Sequence, residues 1–293
     1  MIRRQGFRAM GTDVELLIDS DSDAESGEGL QVAEWEIRRL EDLFSRFRPD
    51  SELSRLNRTG AIVAGPELAE VTGLALEGRE STGGRFDPTV HDAVVAAGYD
   101  RSFELMAPDM AGRRDQGPTC CGGDVQLDRA TGTISLAAGA RLDLGGIAKG
   151  YSADRVSDLL SAYGPCLVNV GGDLATRGVP EGGAWAVGVQ TPGGTLSLAL
   201  ERGAMATSGR DRRRWRCDGD AAHHVIDPTT ARPADTDLLR VTVVASSAAW
   251  AEVLATGFLV AGAEAAEREA DALGVPCLLI TREGASVWAG GLS

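Results

Sequence analysis

Segments of strand-like and of helical periodicity follow one another irregularly along this chain. Alternating apolar residues predict a strand over 12–19, whereas helical spacing of apolar residues predicts two successive helices, over 30–44 and 66–82. The strict strand–helix alternation of a doubly wound parallel sheet is therefore not found. This order favours an α+β fold.

Further segments extend the pattern to the end of the chain. Additional strands are predicted over 125–127, 133–136, 166–170, 185–190, 196–200, 239–245, 275–281 and 286–289. Additional helices are predicted over 149–163, 248–260 and 264–273. A loop is predicted over 20–29, a surface insertion over 106–123, and turns and hairpins over 205–242. Because there is no internal repeat and no clean linker, residues 1–293 are predicted to form one domain.

Net charge, hydropathy and cysteine content indicate which partners and which cellular compartment suit this chain. The formal net charge is -14, which disfavours binding to duplex nucleic acid, because that binding needs basic groups to neutralise phosphates. No segment approaches the roughly 20 apolar residues that span a bilayer. The five cysteines are odd in number and contain no CxxC motif, which predicts reduced thiols in a cytoplasmic protein.

A glycine turn between a strand and a helix is the strongest local signal for a binding site. Residues 142–154 read L-D-L-G-G-I-A-K-G-Y-S-A-D and contain Lys149, the only lysine of the chain. Glycines let a backbone approach a ligand closely, and a helix N-terminus favours phosphate. Asp154 is predicted to lie one helical turn further in. The segment matches neither the Walker A nor the GxGxxG motif, so a plain helix-capping turn is the alternative.

Two further segments carry candidate catalytic or binding groups. Residues 168–173 form an apolar strand that ends in glycines and a carboxylate, as both binding edges and plain turns do. His224 follows His223 and precedes a short apolar run and a proline turn. Histidine is the commonest general base near neutral pH, although a surface hairpin is the alternative here. Zinc is excluded because HxxxH and HExxH spacings do not occur.

Oxygen and arginine side chains supply the remaining candidates. Glu252 and Thr256 are four residues apart and share one face of an apolar helix. Their oxygens suit a hard cation such as Mg²⁺, and an exposed surface pair is the alternative. Five arginines lie within 210–216, where either a solvated hairpin or a contact for phosphate or for an acidic partner protein is possible.

An ordered series of motifs resembles the ApbE family of FAD:protein FMN transferases. The family pattern S-x-Y/F-x-P-x-S-E-L/I-S-x-L/F-N stands at 45–57 as S-R-F-R-P-D-S-E-L-S-R-L-N. The other matches are M-G-T at 10–12, G-R-F-D-P-T-V at 84–90, D-L-G-G-I-A-K-G-Y at 143–151, N-V-G-G-D at 169–173, A-T-S-G at 206–209, H-V-I-D-P at 224–228 and the helix that contains Thr256. The resemblance extends over about residues 10–262.

The resemblance implies both a fold and a reaction. The fold would be T-fold-related and α+β, with mixed sheets, helices packed on them, and FAD in a cleft between two interlocked lobes. FAD would be cleaved at its pyrophosphate, FMN would be joined to a Ser or Thr hydroxyl of an acceptor protein, and AMP would leave. A cation such as Mg²⁺ would neutralise the charge that develops during this transfer.

The resemblance also implies roles for individual residues. Mg²⁺ would be held by the Gly146 carbonyl, Glu252 and Thr256. The catalytic residues would be Lys149 and His224, the latter acting on the incoming hydroxyl or on the phosphoryl group. FAD would contact Met10, Phe47, Arg85, Phe86, Asp87, Asp143, Lys149, Asp154 and Ala234.

Three departures from the family pattern leave other functions open. Glu252 stands where the family usually has aspartate, Phe47 replaces a frequent tyrosine, and residues 229–233 read T-T-A-R-P where glycine is usual. A metal-dependent FAD pyrophosphatase that produces FMN and AMP is the first alternative. A non-catalytic FAD-binding protein is the second.

Overall fold

An eight-stranded sheet forms the centre of the protein, which a computed structural model describes over residues 1–110 and 121–292. The strands of the protein, numbered along the chain, are β1 (Ile2–Ala9), β2 (Thr12–Asp19), β3 (Ala61–Val63), β4 (Asp109–Met110), β5 (Val125–Asp128), β6 (Thr133–Leu136), β7 (Cys166–Val170), β8 (Asp173–Arg177), β9 (Trp185–Thr191), β10 (Gly194–Leu200), β11 (Gly203–Gly209), β12 (Arg214–Cys217), β13 (Asp220–His223), β14 (Ile226–Asp227), β15 (Arg232–Pro233), β16 (Leu238–Ala245), β17 (Cys277–Thr281) and β18 (Ser286–Ala289).

Strands from both ends of the chain meet in this sheet, in the spatial order β1-β2-β7-β8-β11-β16-β17-β18. Each of its neighbouring pairs is antiparallel. Smaller sheets are formed by β3-β6-β5, β9-β10, β14-β15 and β13-β12-β4, and the last contains a parallel pair, β4 with β12. The largely antiparallel pairing and the separate helices confirm the predicted α+β class.

Seven α-helices and two short 3₁₀ turns, at Phe103–Leu105 and Ser161–Tyr163, accompany the strands of the described residues. The helices are α1 (Asp23–Phe44), α2 (Glu52–Thr59), α3 (Pro66–Ser81), α4 (His91–Ala96), α5 (Ala148–Leu160), α6 (Ala248–Ala261) and α7 (Ala263–Leu273). The predicted helices over 66–82, 149–163, 248–260 and 264–273 are confirmed to within a few residues at each end.

The loop predicted over 20–29 is in fact largely helical. The prediction of a loop over 20–29 is wrong, because α1 begins at Asp23, where the Ser22 side chain accepts a hydrogen bond from the Glu25 N–H at 3.3 Å. Acidic residues in a first turn also suit the helix dipole, although they hide the helical pattern of apolar residues. Strands β11 to β15 overlap the region 205–242, as the turns and hairpins predicted there imply, whereas β1 has no counterpart among the predicted strands.

The alternation of residues in β2 shows how the sheet is covered on both faces. Leu16 and Ile18 are fully buried in an apolar cluster that includes Ile37 of α1. Leu17 points to the opposite face and packs in a second cluster with Trp185 of β9. Helices α5 and α6 pack on the sheet through β8 and β11. The helices and the β9–β10 hairpin therefore bury opposite faces of one sheet.

Two predictions concern features that the structure describes only in part. The insertion predicted at 106–123 and the thiol of Cys120 fall on or extend into residues 111–120, which lie outside the described residues. Cys166 and Cys277 are buried, and burial raises the pKa of each thiol. No helix in residues 1–110 or 121–292 has the length and apolarity that crossing a membrane requires.

Helices α5 and α6 approach each other so closely at Gly150 that a side chain has no room there. A Cβ atom at this position would collide with the Ala248 carbonyl and would lie 2.7 Å from the Ala249 nitrogen, and backbone atoms cannot rotate away. We expect Gly150→Ala to lower the free energy of unfolding by about 3 kcal/mol, the upper part of the range for overpacked sites. Urea denaturation measures this change.

Gly27, in the exposed part of α1, supplies the matched control. A Cβ at Gly27 would have no heavy atom within 4 Å, so Gly27→Ala is expected to raise the free energy of unfolding by about 0.5–1 kcal/mol through helix propensity alone. Equal effects of the two substitutions would contradict the close crossing at Gly150.

Candidate functional site

Segments from distant parts of the chain converge on a cavity of about 850 Å³. This volume lies in the upper range of small-molecule and cofactor pockets. The wall contains the β1–β2 turn at Met10, the segment after α1, the turn that precedes α5, the end of β11 and part of α6. Of the residues predicted as a site, the cavity brings together Met10, Phe47, Arg85, Phe86, Asp87, Asp143, Gly146, Lys149, His224, Glu252 and Thr256.

Lys149 lies at the start of α5 between two buried carboxylates. Its Nζ is 2.5 Å from Oδ2 of Asp173 and also pairs with Oε1 of Glu252. The second Glu252 oxygen accepts the Gly150 N–H at 2.9 Å, and Oδ1 of Asp173 accepts the Thr207 N–H at 3.3 Å. This network joins α5, α6, β8 and β11 at the bottom of one site.

Burial and mutual repulsion control the charges of these groups. Burial, followed by repulsion from Asp173, raises the pKa of Glu252 to about 8, although Lys149 acts in the opposite direction. Burial disfavours the Lys149 ammonium, but its attraction to Asp173 and Glu252 is stronger, and the pKa of Lys149 lies above its ordinary value. With all three groups ionised the cluster carries one excess negative charge, which a nearby cation would offset.

Oxygen atoms of different chemical types lie beside this cluster. Thr256 follows Glu252 by one turn of α6, and its Oγ1 lies 2.9 Å from Oγ of Ser208. A Cβ at Gly146 would be 3.9 Å from that Thr256 oxygen and 3.1 Å from the Phe86 ring, so the Gly146 backbone lies next to both. A carboxylate, a hydroxyl and a backbone carbonyl form a donor set that suits Mg²⁺.

The structure also distinguishes between a cation site and an exposed surface pair for Glu252 and Thr256. An exposed surface pair is wrong, because Glu252 is only 3% exposed. No cluster of three or more His, Cys, Asp or Glu side chains suited to a metal occurs in the described part of the chain. The predicted Mg²⁺ ligands, the Gly146 carbonyl, Glu252 and Thr256, include only one carboxylate. Such a site depends on carbonyl, hydroxyl and ligand oxygens.

Local hydrogen bonds fix the wall residues of the predicted flavin site. Asp143 accepts the Gly145 N–H through Oδ1 at 2.7 Å and pairs with Nε of Arg46 through Oδ2 at 2.8 Å. Oδ1 of Asp87 accepts the N–H and the hydroxyl of Thr89 at 2.8 and 2.7 Å. These carboxylates therefore shape turns at the cavity as well as lining it.

Two predicted flavin contacts are not brought to the cavity wall. Both Asp154 oxygens accept backbone N–H groups at the start of α6, from Ala248 at 2.9 Å and from Ala249 at 3.0 Å. Asp154 is thus a cap of α6, and it is not among the residues that line the cavity. Ala234 is 3% exposed, and its carbonyl lies 3.1 Å from Nε2 of His223. The structure therefore places Ala234 behind the wall.

His224 lies in the cavity wall and is neutral at ordinary pH. Burial, followed by the positive charges of Arg213, His223 and Lys149, lowers the pKa of His224 to about 3. Its Nδ1 has no hydrogen-bond partner within the described residues. Burial also lowers the pKa of His223, to about 4. The surface-hairpin alternative is wrong, because His223 is only 5% exposed and His224 faces the cavity.

The depressed pKa of His224 predicts a specific pH dependence of stability. Below pH 6.5 the unfolded chain binds a proton at this histidine that the folded protein does not bind. The stability that depends on neutral His224 is therefore fully present above pH 6.5 and decreases as the pH falls. Between pH 7.5 and 5.0 we expect His224 to account for a loss of about 2 kcal/mol in the free energy of unfolding.

Urea titrations of the wild type and of His224→Asn at both pH values measure this loss. The difference between the two proteins is the relevant quantity, because the raised pKa of Glu252 acts in the opposite sense over the same range. The wild type is expected to lose about 2 kcal/mol more than the variant. The same loss in both proteins would contradict a neutral His224 in the folded protein.

Sequence reasoning missed several residues of the site. Asp173 follows a predicted strand but is absent from the predicted set of site residues, although it pairs with Lys149. Ser208 lies in the A-T-S-G motif and bonds Thr256. Of the five arginines in 210–216, Arg212 and Arg213 line the cavity, which supports the alternative of a phosphate contact over the favoured interpretation as a solvated hairpin. Arg46 and Tyr99 carry no recognisable signal of their own.

Comparison with known proteins places these observations in context. The profile of the ApbE family matches residues 10–279. The FAD:protein FMN transferase of Treponema pallidum is 32% identical over 255 residues, which cover 78% of this chain and 70% of that protein. The FAD:protein FMN transferase of Vibrio cholerae is 30% identical over 260 residues, which cover 84% and 77%.

Two solved structures share the whole fold. The ApbE protein of Thermotoga maritima superimposes with a TM-score of 0.88 at 26% identity, covering 99% of this chain and 97% of that one. The flavin transferase ApbE of Vibrio cholerae gives a TM-score of 0.78 at 26% identity, with the same coverage. The predicted family resemblance and fold are confirmed by these matches.

Proposed function

This chain belongs to the ApbE family, and on that premise we propose that it transfers FMN from FAD to a Ser or Thr hydroxyl of an acceptor protein, with release of AMP, in a Mg²⁺-dependent reaction. The observation that carries the proposal is the cluster of Lys149, Asp173 and Glu252 beside the Thr256 hydroxyl, within a cavity of about 850 Å³. This cluster combines a fixed ammonium group with oxygen ligands for a metal, as transfer from a pyrophosphate requires.

The predicted metal ligands fit a hard divalent cation. We propose that the Gly146 carbonyl, Glu252 and Thr256 hold Mg²⁺, since they line one cavity and offer only oxygen. When bound, the cation would neutralise negative charge on the pyrophosphate.

Each side chain of the site has a separate role in the proposed reaction. Lys149 is held by two carboxylates, so its ammonium is fixed in position and can bind a phosphate oxygen at the cavity surface. Arg212 and Arg213 add positive charge to the same wall. Flavin contacts are proposed for Met10, Phe47, Arg85, Phe86, Asp87 and Asp143, which line the cavity.

Proton transfer is assigned to His224. The acceptor hydroxyl oxygen would form a bond to the phosphorus of the FMN half, and the bond from that phosphorus to the AMP oxygen would break. The hydroxyl proton would pass to a nitrogen of neutral His224, whose Nδ1 has no partner within the described residues. The negative charge of bound phosphates would raise the pKa of His224 and strengthen it as a base.

We also propose that residues 1–293 act as one domain with reduced thiols in the cytoplasm. The sheet joins β1 and β2 to β17 and β18, which supports a single folding unit. The buried positions of Cys166 and Cys277 agree with thiols that take no part in disulfide bonds.

Incubation with FAD and Mg²⁺, with and without a candidate acceptor domain, tests the function. Mass spectrometry should show the acceptor heavier by FMN less one water, the acceptor band should fluoresce, and chromatography should show AMP in equal amount. EDTA should prevent the modification. FMN and AMP formed equally with and without acceptor would instead identify an FAD pyrophosphatase, and intact bound FAD would identify a binding protein.

A further inference from the structure

One cationic side chain in the cavity wall has a donor nitrogen without a partner. Arg46 lies directly after the C-terminal end of α1, and its side chain is only 7% exposed. Its Nε pairs with Asp143, but its Nη2 is buried and has no hydrogen-bond partner within the described residues. Leaving a buried donor unsatisfied is unfavourable, and each such group in a native structure calls for an explanation, such as a partner that binds in the functional state.

Aromatic rings keep the Arg46 guanidinium in place. Its Cζ lies 4.1 Å from the centre of the Phe47 ring and 4.6 Å from that of Tyr99. Tyr99 is buried and packs against Trp215 and Phe103, whereas Phe47 is 38% exposed. Tyr99 therefore supports the guanidinium from the protein interior, and Phe47 packs on it from the more exposed side.

Within the described residues, the Arg46 guanidinium pairs with Asp143 through Nε, whereas its Nη2 has no hydrogen-bond partner. Asp143 uses Oδ2 for the guanidinium and Oδ1 for the Gly145 N–H, so it has no oxygen directed at Nη2. Arg46, Phe47 and Asp143 all line the same cavity. The unpaired edge of a planar guanidinium offers a geometrically fixed donor for a carbonyl or phosphate oxygen of a ligand.

We propose that Arg46 is a specificity-determining contact for the flavin nucleotide, in which Nη2 donates to an oxygen of bound FAD. This inference rests on the proposed function, because it takes FAD as the occupant of the cavity. The oxygen belongs either to a carbonyl of the flavin ring or to a phosphate, which are the strongest oxygen acceptors of FAD for a cationic donor. Arg46 acts by direct contact, and its pairing with Asp143 serves to hold the guanidinium in position.

Equilibrium binding of four ligands to the full chain tests the inference. FAD, FMN, riboflavin and ADP are titrated in EDTA by calorimetry against the wild type, Arg46→Lys and Arg46→Met. Loss of one hydrogen bond from a charged donor corresponds to an increase of about 10–100-fold in the Kd of FAD for both variants. Lysine keeps the positive charge beside Asp143 but lacks the planar donor edge.

The smaller ligands identify the acceptor oxygen. Weakened binding of riboflavin and FMN with unchanged binding of ADP assigns the contact to the flavin ring. Weakened binding of FMN and ADP with unchanged binding of riboflavin assigns it to a phosphate. Arg55→Met is the matched control, because the Arg55 side chain is 52% exposed and pairs with Glu52 outside the cavity wall, so its Kd values should equal those of the wild type.

Two results would overturn the inference. The first is wild-type FAD affinity in both Arg46 variants. The second is wild-type affinity in Arg46→Lys with a loss only in Arg46→Met, because a role limited to balancing Asp143 predicts this pattern. Thermal unfolding of each variant checks the fold, and Arg46→Lys decides the question if Arg46→Met does not fold. Failure of the wild type itself to bind FAD would contradict the proposed function and not the contact alone.

Discussion

Replacing Glu252 with glutamine is expected to reduce the rate of FAD cleavage about 10³-fold while the protein remains folded. Glu252 is the only carboxylate in the proposed Mg²⁺ ligand set, and a neutral amide is a weaker ligand for a hard cation. Electrostatic stabilisation by a metal is worth several kcal/mol, and each 1.36 kcal/mol corresponds to about a factor of ten in rate. Glutamine keeps the length of the side chain and one carbonyl oxygen that can accept the Gly150 N–H.

Calorimetric titration with Mg²⁺ separates this effect from general damage. Glu252→Gln is expected to lose Mg²⁺ binding, and Glu252→Asp, which carries the residue usual in the family, is expected to keep both binding and cleavage. Glu77→Gln serves as the control, because Glu77 is half exposed and pairs with Arg129 away from the cavity. Unchanged cleavage and Mg²⁺ affinity in Glu252→Gln would refute the metal assignment.

Replacing Lys149 with methionine is expected to lower the free energy of unfolding by about 3–5 kcal/mol. The substitution leaves the buried carboxylates of Asp173 and Glu252 facing each other without a counter-charge, and removal of one partner from a buried ion pair has a cost in this range. Urea denaturation at pH 8 measures the loss. At lower pH the loss should be smaller, because the raised pKa of Glu252 allows it to take up a proton.

Two further substitutions distinguish the structural and functional parts of this effect. Adding Asp173→Asn to Lys149→Met removes one of the two facing charges and should restore most of the stability without restoring FAD cleavage. Lys149→Arg keeps the charge but places a planar fork in a site shaped for a compact ammonium, so we expect cleavage to fall about 10²-fold. Full activity in Lys149→Arg would show that the single lysine of this chain has no special role.

The positions of helices and strands follow closely from local patterns. The alternation over 12–19 corresponds to β2, and the helical spacing of apolar residues over 66–82 corresponds to α3. The apolar pattern did not predict the first turns of α1, because polar residues there stabilise the end of the helix. Ser22 and the acidic residues after it cap and begin α1, although their small, polar side chains are also typical of a loop.

The structure shows how the chain accommodates one departure from the family pattern, the missing glycine at 229–233. Residues 229–233 lack the usual glycine, and Ala231 adopts the left-handed conformation there with φ 53° between β14 and β15. Its N–H still donates to the Asp227 carbonyl at 2.8 Å, so the turn closes despite the methyl group. Sequence alone identified the missing glycine, and the structure shows that the turn is retained.

The sequence by itself determined the residue types of the site and their local placement. It placed Lys149 at the start of a helix after a glycine turn, and it placed Glu252 and Thr256 on one helical face, because helical geometry relates residues four apart. The order of the motifs along the chain also indicated the family. These conclusions depend only on the linear order of residues.

Only the tertiary structure decided which of these groups meet. Lys149 pairs with Asp173, 24 residues away, and with Glu252, 103 residues away, because α5 crosses α6 closely enough at Gly150 to bring their polar groups together. The same crossing turns Asp154 toward the start of α6 and away from the cavity. Local periodicity fixes the face on which a side chain lies, but the partner on the opposite face depends on how distant segments pack.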